Sequence, residues 1–427
     1  MKKTIAIVLY YSKNNKYSFN ALIGALEQDD IEQHVDVFFI AKKNELFQAI
    51  DDIIQRYKKI ILAISFFTTQ LWEINELVKS MRHQFGNRIM LIGGGPHPTG
   101  DALGTLKMGF DLVVIGEGEE TLIELIRKIQ ENKPFFNIKG IGMLMDDNAY
   151  VFTGKRKNIN LDEYAPFPVK HNKFGAIEIT RGCPYACYFC QTPHLLGTRP
   201  RHRSIDIICK YVKIMKHRNL TDIRFITPNA FSYGSVDGKT LNLIKLEALL
   251  KNIKKIIQPE GRIFLGSFPS EVRPEHVNEE TIAIILKYAS NDNIIIGAQS
   301  GSQKLLDSCN RGHSIEDIYK AIKITVESGL IANVDFIFGL PGEEKEDIED
   351  TIHLIKNLIK MGAKIHAHSF IPLPMTPFEK KSVKSIDSDL QKLIKSLTSE
   401  GKAFGDWKKQ EENAIKISRY IQTKKFD

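Results

Sequence analysis

Residues 181–190 read Arg-Gly-Cys-Pro-Tyr-Ala-Cys-Tyr-Phe-Cys, so Cys183, Cys187 and Cys190 are separated by gaps of three and two residues. Four cysteine thiolates complete the coordination of a [4Fe–4S] cluster, whereas three leave one iron with open positions. A structural zinc site needs four ligands, usually as two separated pairs. The remaining cysteines, Cys209 and Cys309, do not form a second pair. The stretch therefore predicts an iron–sulfur cluster with chemistry at its open iron.

This cysteine stretch resembles that of the radical S-adenosylmethionine (SAM) enzymes. The resemblance implies that the open iron chelates the amino and carboxylate groups of SAM. It also implies that an electron from the cluster cleaves SAM to a 5′-deoxyadenosyl radical. An electron donor such as ferredoxin or flavodoxin is the partner that this chemistry implies.

Composition predicts a globular, cytoplasmic protein. The chain has 427 residues, 43% of them hydrophobic, and no apolar run long enough to cross a membrane. Its five cysteines are sparse and odd in number, which disfavours a disulfide framework. The net charge of +8 is spread over short clusters such as residues 155–157 and 199–203. Nucleic-acid binding would need a continuous basic stripe with exposed aromatics, so it is not predicted.

The N-terminal third alternates short apolar strands with amphipathic helices, which predicts a doubly wound parallel sheet of the flavodoxin-like kind. Ligands of such sheets bind beyond the carboxyl ends of the strands. The predicted strands are residues 5–10, 35–39, 60–64, 89–92 and 112–115. The predicted helices lie around residues 21–27, 46–57, 73–84 and 119–130.

Three loops at the predicted carboxyl edge, residues 65–69, 93–99 and 116–119, resemble those of the cobalamin-binding domain that precedes many radical SAM domains. The resemblance implies that these loops bind cobalamin. The implied contacts are Ser65, Thr68, Gly93, Gly94, Gly95, Pro96, Gly116 and Glu117. The loop after strand one, residues 11–15, lacks the Asp-x-His-x-x-Gly motif, so no protein histidine is expected below cobalt. The alternative is a related module that binds nothing.

The domain limits follow from these patterns. Residues 1–135 are predicted to form the cobalamin-binding domain, 136–172 a linker with a short hairpin, 173–380 a radical SAM barrel, and 381–427 a helical extension. The barrel strands are predicted at residues 176–179, 223–226, 263–266, 294–297, 333–338 and 365–370. Six strand–helix units are too few for a complete eight-unit barrel. They match the partial (β/α)6, TIM-like barrel that the resemblance implies.

Loops after the barrel strands are predicted to hold SAM. Arg273 can pair with the SAM carboxylate through its planar fork, and Glu271 can accept from ribose hydroxyls. Gln299 stands where the family usually has a glutamate, and an amide can donate as well as accept. The predicted cofactor contacts in this half are Thr227, Pro228, Asn229, Ser267, Glu271, Arg273 and Gln299.

The two resemblances together imply a cobalamin-dependent radical SAM enzyme, with methyl transfer to an unactivated carbon of a small molecule or peptide as the leading reaction. The alternatives are an oxidative or ring-forming reaction with cobalamin as an electron relay, and a cofactor-binding sensor without turnover. RNA methylthiolation is disfavoured because the N-terminal domain has no second cysteine trio. Cys209 is predicted to pack in a core, and Cys309 is a weaker candidate for a radical or methyl acceptor.

Overall fold

The computed structural model describes residues 4–426 and divides into two compact units, with the boundary between Gly175 and Ala176. Each unit is built of strands that alternate with helices. The predicted α/β fold class is confirmed in both units.

The first unit is a seven-stranded sheet in the order β2-β1-β3-β4-β5-β6-β7. Its strands are β1 (Ile5–Tyr10), β2 (Val35–Ile40), β3 (Lys59–Ser65), β4 (Met90–Gly94), β5 (Leu112–Val114), β6 (Ile141–Leu144) and β7 (Tyr150–Phe152). Its helices are α1 (Lys16–Leu26), α2 (Lys43–Ile54), α3 (Leu71–Phe85), α4 (Pro96–Gly100), α5 (Ala102–Lys107) and α6 (Glu119–Glu131).

Strands β1 to β5 are parallel, and β1 reads Ile-Ala-Ile-Val-Leu-Tyr with every residue buried. A strand that is apolar on both faces requires cover on both sides of the sheet. β6 and β7 form the predicted hairpin and extend the sheet in antiparallel fashion. Residues 136–172, which the sequence assigned to a linker, therefore belong to the first compact unit.

The second unit begins with β8 (Ile177–Glu178) and contains the barrel strands. Its other strands are β9 (Thr180–Arg181), β10 (Arg201–His202), β11 (Asp222–Ile226), β12 (Arg262–Phe264), β13 (Asn293–Gln299), β14 (Ile331–Phe338), β15 (Lys364–Ser369) and β16 (Ala403–Phe404). Its helices are α7 (Thr192–Leu196), α8 (Ile205–His217), α9 (Leu243–Ile257), α10 (Glu279–Tyr288), α11 (Gln303–Ser308), α12 (Ile315–Glu327), α13 (Lys345–Lys360), α14 (Ser388–Ser399) and α15 (Trp407–Thr423).

The barrel strands follow one another in chain order. One sheet runs β8-β11-β12 and the other β13-β14-β15-β16, and all of these pairs are parallel. A parallel bridge between Val272 and Ile296 connects the two sheets. The six predicted strands are present, and the C-terminal extension adds β16 between its two helices. The carboxyl ends of these strands therefore lie at one edge, where the candidate site is found.

Within residues 4–426, none of the helices has both the length and the apolar character required to cross a bilayer.

Candidate active site

The cysteine loop leaves β9 through a turn that only glycine fits well. Gly182 has a φ of 92° and presses against the carbonyl oxygen of Arg199, so a Cβ there would collide with backbone. The next residue, Cys183, donates its N–H to the carbonyl of Gly197 at 3.0 Å. Two backbone constraints thus fix the position of the first predicted cluster ligand.

The other two cysteines occupy one tight turn. Cys190 N–H donates to the carbonyl of Cys187 at 3.0 Å, and Tyr188 N–H donates to the carbonyl of Cys309 at 3.0 Å. Cys309 is buried, and burial raises the pKa of its thiol to about 12. Cys309 therefore supports the loop through its backbone, and its thiol lacks the low pKa of a reactive cysteine.

The three predicted ligands lie close enough to repel one another when ionised. Burial raises the pKa of Cys190 to about 11 and raises that of Cys183, and Cys187 adds to both shifts through its charge. Arg311 supplies an opposite charge, because its Nη1 lies 3.8 Å from Sγ of Cys187. Three sulfurs gathered beside a buried guanidinium fit an anionic thiolate-ligated cluster.

Sequence reasoning missed Arg311, since no motif marks it. The side chain is buried, and its Nη2 donates to the carbonyl of Gly297 at 2.6 Å. A Cβ on Gly297 would lie 2.7 Å from nitrogen atoms of both Arg311 and Gln299, and 3.7 Å from a carboxylate oxygen of Glu271. Gly297 therefore allows these three polar side chains to meet at the end of β13.

Arg273, predicted to bind SAM, is buried against the cysteine loop. Its guanidinium lies 3.4 Å from the ring centre of Tyr185, its Nε donates to Glu275 at 2.5 Å, and its Nη2 donates to the carbonyl of Arg311. Within residues 4–426, its buried Nη1 has no hydrogen-bond partner. A buried donor of this kind fits a ligand carboxylate, as SAM would supply.

Thr227 and Asn229 hold the loops of the site together. The Thr227 hydroxyl donates to the carbonyl of Asn229 at 3.1 Å. Asn229 lies 2.6 Å from Nδ1 of His276 through Nδ2, and its Oδ1 accepts from the N–H of Arg273 at 3.3 Å. Pro228 lies between Thr227 and Asn229 in the chain. These side chains attach the end of β11 to the loop after β12.

Ser267, Glu271 and Gln299 also lie near this edge. The buried hydroxyl of Ser267 has no hydrogen-bond partner within the described residues. Burial, with the charge of Asp335, raises the pKa of Glu271 to about 7. Gln299 has a φ of 75°, which is strained for a residue with a side chain, at a register shift between β13 and β14.

In the first unit, the ends of β3 and β4 form an open glycine cradle. Ser65 pairs with Gly94, and a Cβ built on Gly94 meets no atom within 4 Å. Gly95 has a φ of 90°, and a Cβ there would lie 2.5 Å from the hydroxyl of Ser65. Gly94 therefore borders free space while Gly95 makes the turn into Pro96, which suits the close approach of a large ligand.

The other predicted cobalamin residues divide into two groups. Gly116 also borders free space, and its N–H donates to Thr99 at 3.2 Å. Thr68, in contrast, is buried and lies 3.1 Å from Nδ1 of the fully buried His97. These two side chains shape the loop.

Gly93 and Glu117 also serve the fold of the first unit. A Cβ on Gly93 would lie 3.1 Å from the methyl group of Thr105, so this glycine faces the core. Glu117 accepts the N–H of Ile159 at 2.8 Å, which attaches the segment after β7 to this edge. The free space of the edge therefore lies at Gly94 and Gly116.

The loop after β1 contains a buried amide that the sequence did not identify. Nδ2 of Asn15 donates to the carbonyls of Tyr10 and Ser65 at 2.8 and 2.9 Å, which ties the ends of β1 and β3 together. Residues 11–15 contain no histidine. Together with Gly94 and Gly116, this edge fits a cobalamin that receives no histidine from that loop.

Each unit matches a known protein family. Residues 5–126 match the B12 binding domain, and residues 177–355 match the radical SAM superfamily. The radical SAM domain implies a [4Fe–4S] cluster, SAM and a source of electrons, and the B12 binding domain implies cobalamin.

Several named proteins are similar to the chain. An uncharacterized methyltransferase of Pyrococcus horikoshii is 27% identical over 328 residues, which cover 73% of this chain and 67% of that protein. A tRNA-2-methylthio-N(6)-dimethylallyladenosine synthase of Ehrlichia ruminantium is 29% identical over 272 residues, 62% of this chain and 56% of that protein.

Two solved structures share the fold over most of the chain. The radical SAM methyltransferase TsrM of Kitasatospora setae, with cobalamin and a [4Fe–4S] cluster bound, has a TM-score of 0.68 at 16% identity and covers 89% of this chain and 77% of its own. The cobalamin-dependent SAM radical enzyme OxsB, with aqua-cobalamin bound, has a TM-score of 0.65 at 18% identity and covers 88% of this chain and 54% of its own.

Proposed function

The chain belongs to the cobalamin-dependent radical SAM proteins, and from this premise we propose that it transfers a methyl group to an unactivated carbon of a small molecule or peptide. The observation that carries the proposal is the presence, in one chain, of a three-cysteine loop beside a buried guanidinium and of an open glycine cradle in a B12 binding domain. When bound, the cluster with SAM supplies a carbon radical and cobalamin supplies a methyl carrier.

The residues of the second unit bind and orient the cluster and SAM. Arg311 balances the charge of the thiolate ligands through Cys187. Arg273 offers its remaining Nη1 to the SAM carboxylate while Tyr185 holds its guanidinium plane. Glu271 and Gln299 present polar groups around Gly297, suited to the hydroxyls of a ribose.

The first unit has no bulky side chains at Gly94 and Gly116, where we place the cobalamin. Gly94 and Gly116 leave free space, and Gly95 keeps the backbone close to Ser65. We assign the cobalamin contacts to this edge, with the backbone rather than long side chains forming the surface. A reduced ferredoxin or flavodoxin is the proposed electron donor.

Methyl transfer is favoured over oxidative chemistry by the relatives. The Pyrococcus protein is named as a methyltransferase, and TsrM, which shares the fold of both units, is a methyltransferase as well.

The test uses SAM with a deuterated methyl group. The anaerobically reconstituted full chain, with cobalamin and a reductant, is incubated with extract from cells that lack the protein. Metabolite, peptide and tRNA fractions are then searched by mass spectrometry for the labelled methyl. We expect the label in a metabolite or peptide together with 5′-deoxyadenosine, and neither with Cys187→Ala, which removes a cluster ligand.

Two outcomes would reject the proposal. An extract component that changes mass with formation of 5′-deoxyadenosine but without the label would indicate oxidative or ring-forming chemistry. Label found in the tRNA fraction alone would indicate RNA modification.

A further inference from the structure

Strands β14 and β15 place three side chains of metal-ligand type on one face. Asp335 pairs in register with His366, and His368 follows two residues later on the same face of β15. The intervening residues, Phe336 and Ala367, are fully buried on the opposite face. None of these three polar side chains belongs to the cysteine loop or to the predicted SAM contacts.

The ligand atoms of this cluster converge. Nδ1 of His366 lies 2.9 Å from Oδ1 of Asp335 and 3.1 Å from Nε2 of His368, and all three ligand atoms lie within 4.8 Å of one another. Tetrahedral zinc bonds of about 2.0–2.2 Å place neighbouring ligand atoms about 3.3–3.6 Å apart, so the two short separations need to widen by only about 0.5 Å to admit the ion. We propose that Asp335, His366 and His368 bind one divalent transition metal ion, of the class of Zn²⁺, separately from the iron–sulfur cluster.

Hydrogen bonds within the protein do not satisfy all three of these ligand atoms. Nδ1 of a histidine carries either one proton or one lone pair, so the nitrogen of His366 cannot make full hydrogen bonds to both neighbours. The carboxylate of Asp335 also interacts with that of Glu271. Within residues 4–426, His366 is the only basic side chain with a nitrogen atom within 4 Å of the Asp335 carboxylate. A cation at the centre of the three atoms would satisfy all of them.

The surroundings orient both rings. His366 stacks on Phe404, with ring centres 4.5 Å apart and planes at 13°. Oε1 of Gln410 accepts the N–H of Ser369 at 2.9 Å, which directs its Nε2 to Nδ1 of His368 at 3.3 Å. Without metal, His368 therefore carries its proton on Nε2, and metal binding requires that proton to move to Nδ1.

The Nε2 of Gln410 is a hydrogen-bond donor, and a metal-bound His368 would carry its proton on the facing Nδ1. Gln410 is therefore an unfavourable neighbour for the metal-bound form of His368. Metal-bound histidines usually donate their second N–H to a carboxylate or carbonyl. Gln410→Glu would place an acceptor beside Nδ1 and keep one for Ser369. The substitution should therefore tighten metal binding, whereas damage to the fold could only weaken it.

Three protein ligands leave at least one position of the metal open. That position can take an oxygen or nitrogen atom of a substrate and fix its orientation in the barrel. Metal binding itself requires no turnover, so its test is independent of the proposed methyl transfer.

The experiment measures Zn²⁺ in the cluster-loaded full chain. Anaerobic equilibrium dialysis against Zn²⁺ is followed by elemental analysis of zinc and iron, and crystals are examined for anomalous scattering at the zinc edge. We expect one zinc per chain with the iron unchanged, and the anomalous peak between Asp335, His366 and His368. His368→Ala should weaken zinc binding at least tenfold, Gln410→Glu should tighten it, and His353→Ala, at an exposed position of α13, should have no effect.

The proposal fails if the wild-type chain retains no zinc, or if zinc persists undiminished in His368→Ala. It fails equally if the anomalous peak lies at the cysteines, or if Gln410→Glu leaves zinc affinity unchanged or lower.

Discussion

At the scale of single residues, two buried guanidinium groups beside the cysteine loop need explanation. Burying a charge is costly unless it is paired and hydrogen-bonded. Arg311 lies beside the sulfur of Cys187 and donates to the carbonyl of Gly297. Arg273 donates to the carboxylate of Glu275 and lies over the ring of Tyr185. One Nη atom of Arg273 remains without a partner within the described residues. An unsatisfied buried donor costs about 1–3 kcal/mol, which a ligand carboxylate would recover.

We predict that Arg273→Lys keeps the cluster and weakens SAM binding about 10- to 100-fold, because a hydrogen bond to a charged group contributes about 1.5–3 kcal/mol. An ammonium cannot reproduce the planar fork. Iron content and the SAM dissociation constant are the measurements. Arg262→Lys is the matched control, since that guanidinium is exposed and pairs with Asp222. Unchanged SAM affinity in Arg273→Lys would remove Arg273 from the SAM site.

At the scale of elements, the candidate site residues are concentrated where strands end. Gly94 and Gly95 are adjacent at the end of β4, yet a side chain at the first would enter free space and one at the second would strike Ser65. We predict that Gly94→Leu leaves the unfolding free energy within about 0.5 kcal/mol, as for a substitution that meets no neighbour, and lowers cobalamin affinity at least tenfold. Lys79→Leu, exposed on α3 of the same unit, should leave cobalamin affinity unchanged. Normal cobalamin binding by Gly94→Leu would place the ligand elsewhere.

The turn from β14 into α13 contains a carboxyl group with an unusual pKa. Burial raises the pKa of Glu343 from 4.5 to about 7, despite the N–H that Gly339 donates to it at 3.0 Å. The folded state therefore holds this proton between pH 4.5 and about 7, where the unfolded chain has released it, and stability falls as the pH rises.

Glu343→Gln removes the ionisable carboxyl group and with it this loss of folding stability at higher pH. We predict that the stability of the variant relative to wild type increases by about 2 kcal/mol between pH of about 5.5 and 8, and levels off above pH of about 7. Urea unfolding at a series of pH values gives the measurement. Glu349→Gln, exposed on α13, should show no such trend. A constant difference across this pH range would mean that Glu343 ionises normally.

The elements themselves were largely readable from the sequence, because buried parallel strands are continuous apolar runs. β16 was missed since two residues carry no periodic signal. Glu271 and Arg273 were predicted as site residues because they follow a predicted strand, but Arg311 comes from a loop without a motif. Asp335, His366 and His368 looked like ordinary strand residues. Only the register of β14 against β15 brings them together, and sequence does not specify that register.

At the scale of the whole molecule, one chain contains a B12 binding domain and a radical SAM domain. Generating a carbon radical and delivering a methyl group are separate tasks, and each draws on SAM in a different way. Methyl donation leaves S-adenosylhomocysteine, whereas reductive cleavage leaves 5′-deoxyadenosine. The proposed reaction therefore requires both products from the same preparation.

We predict that each methylated product is accompanied by one 5′-deoxyadenosine and one S-adenosylhomocysteine, so that two molecules of SAM are consumed per turnover. Quantitative mass spectrometry of all three products gives the ratio. Because the cysteine loop, Arg273 and Arg311 all belong to the second unit, protein prepared without cobalamin should still form some 5′-deoxyadenosine while methylation stops. Gly94→Leu should behave in the same way with cobalamin present. Substrate modification with 5′-deoxyadenosine but no S-adenosylhomocysteine would exclude methyl transfer from SAM and leave oxidative or ring-forming chemistry as the reaction of this chain.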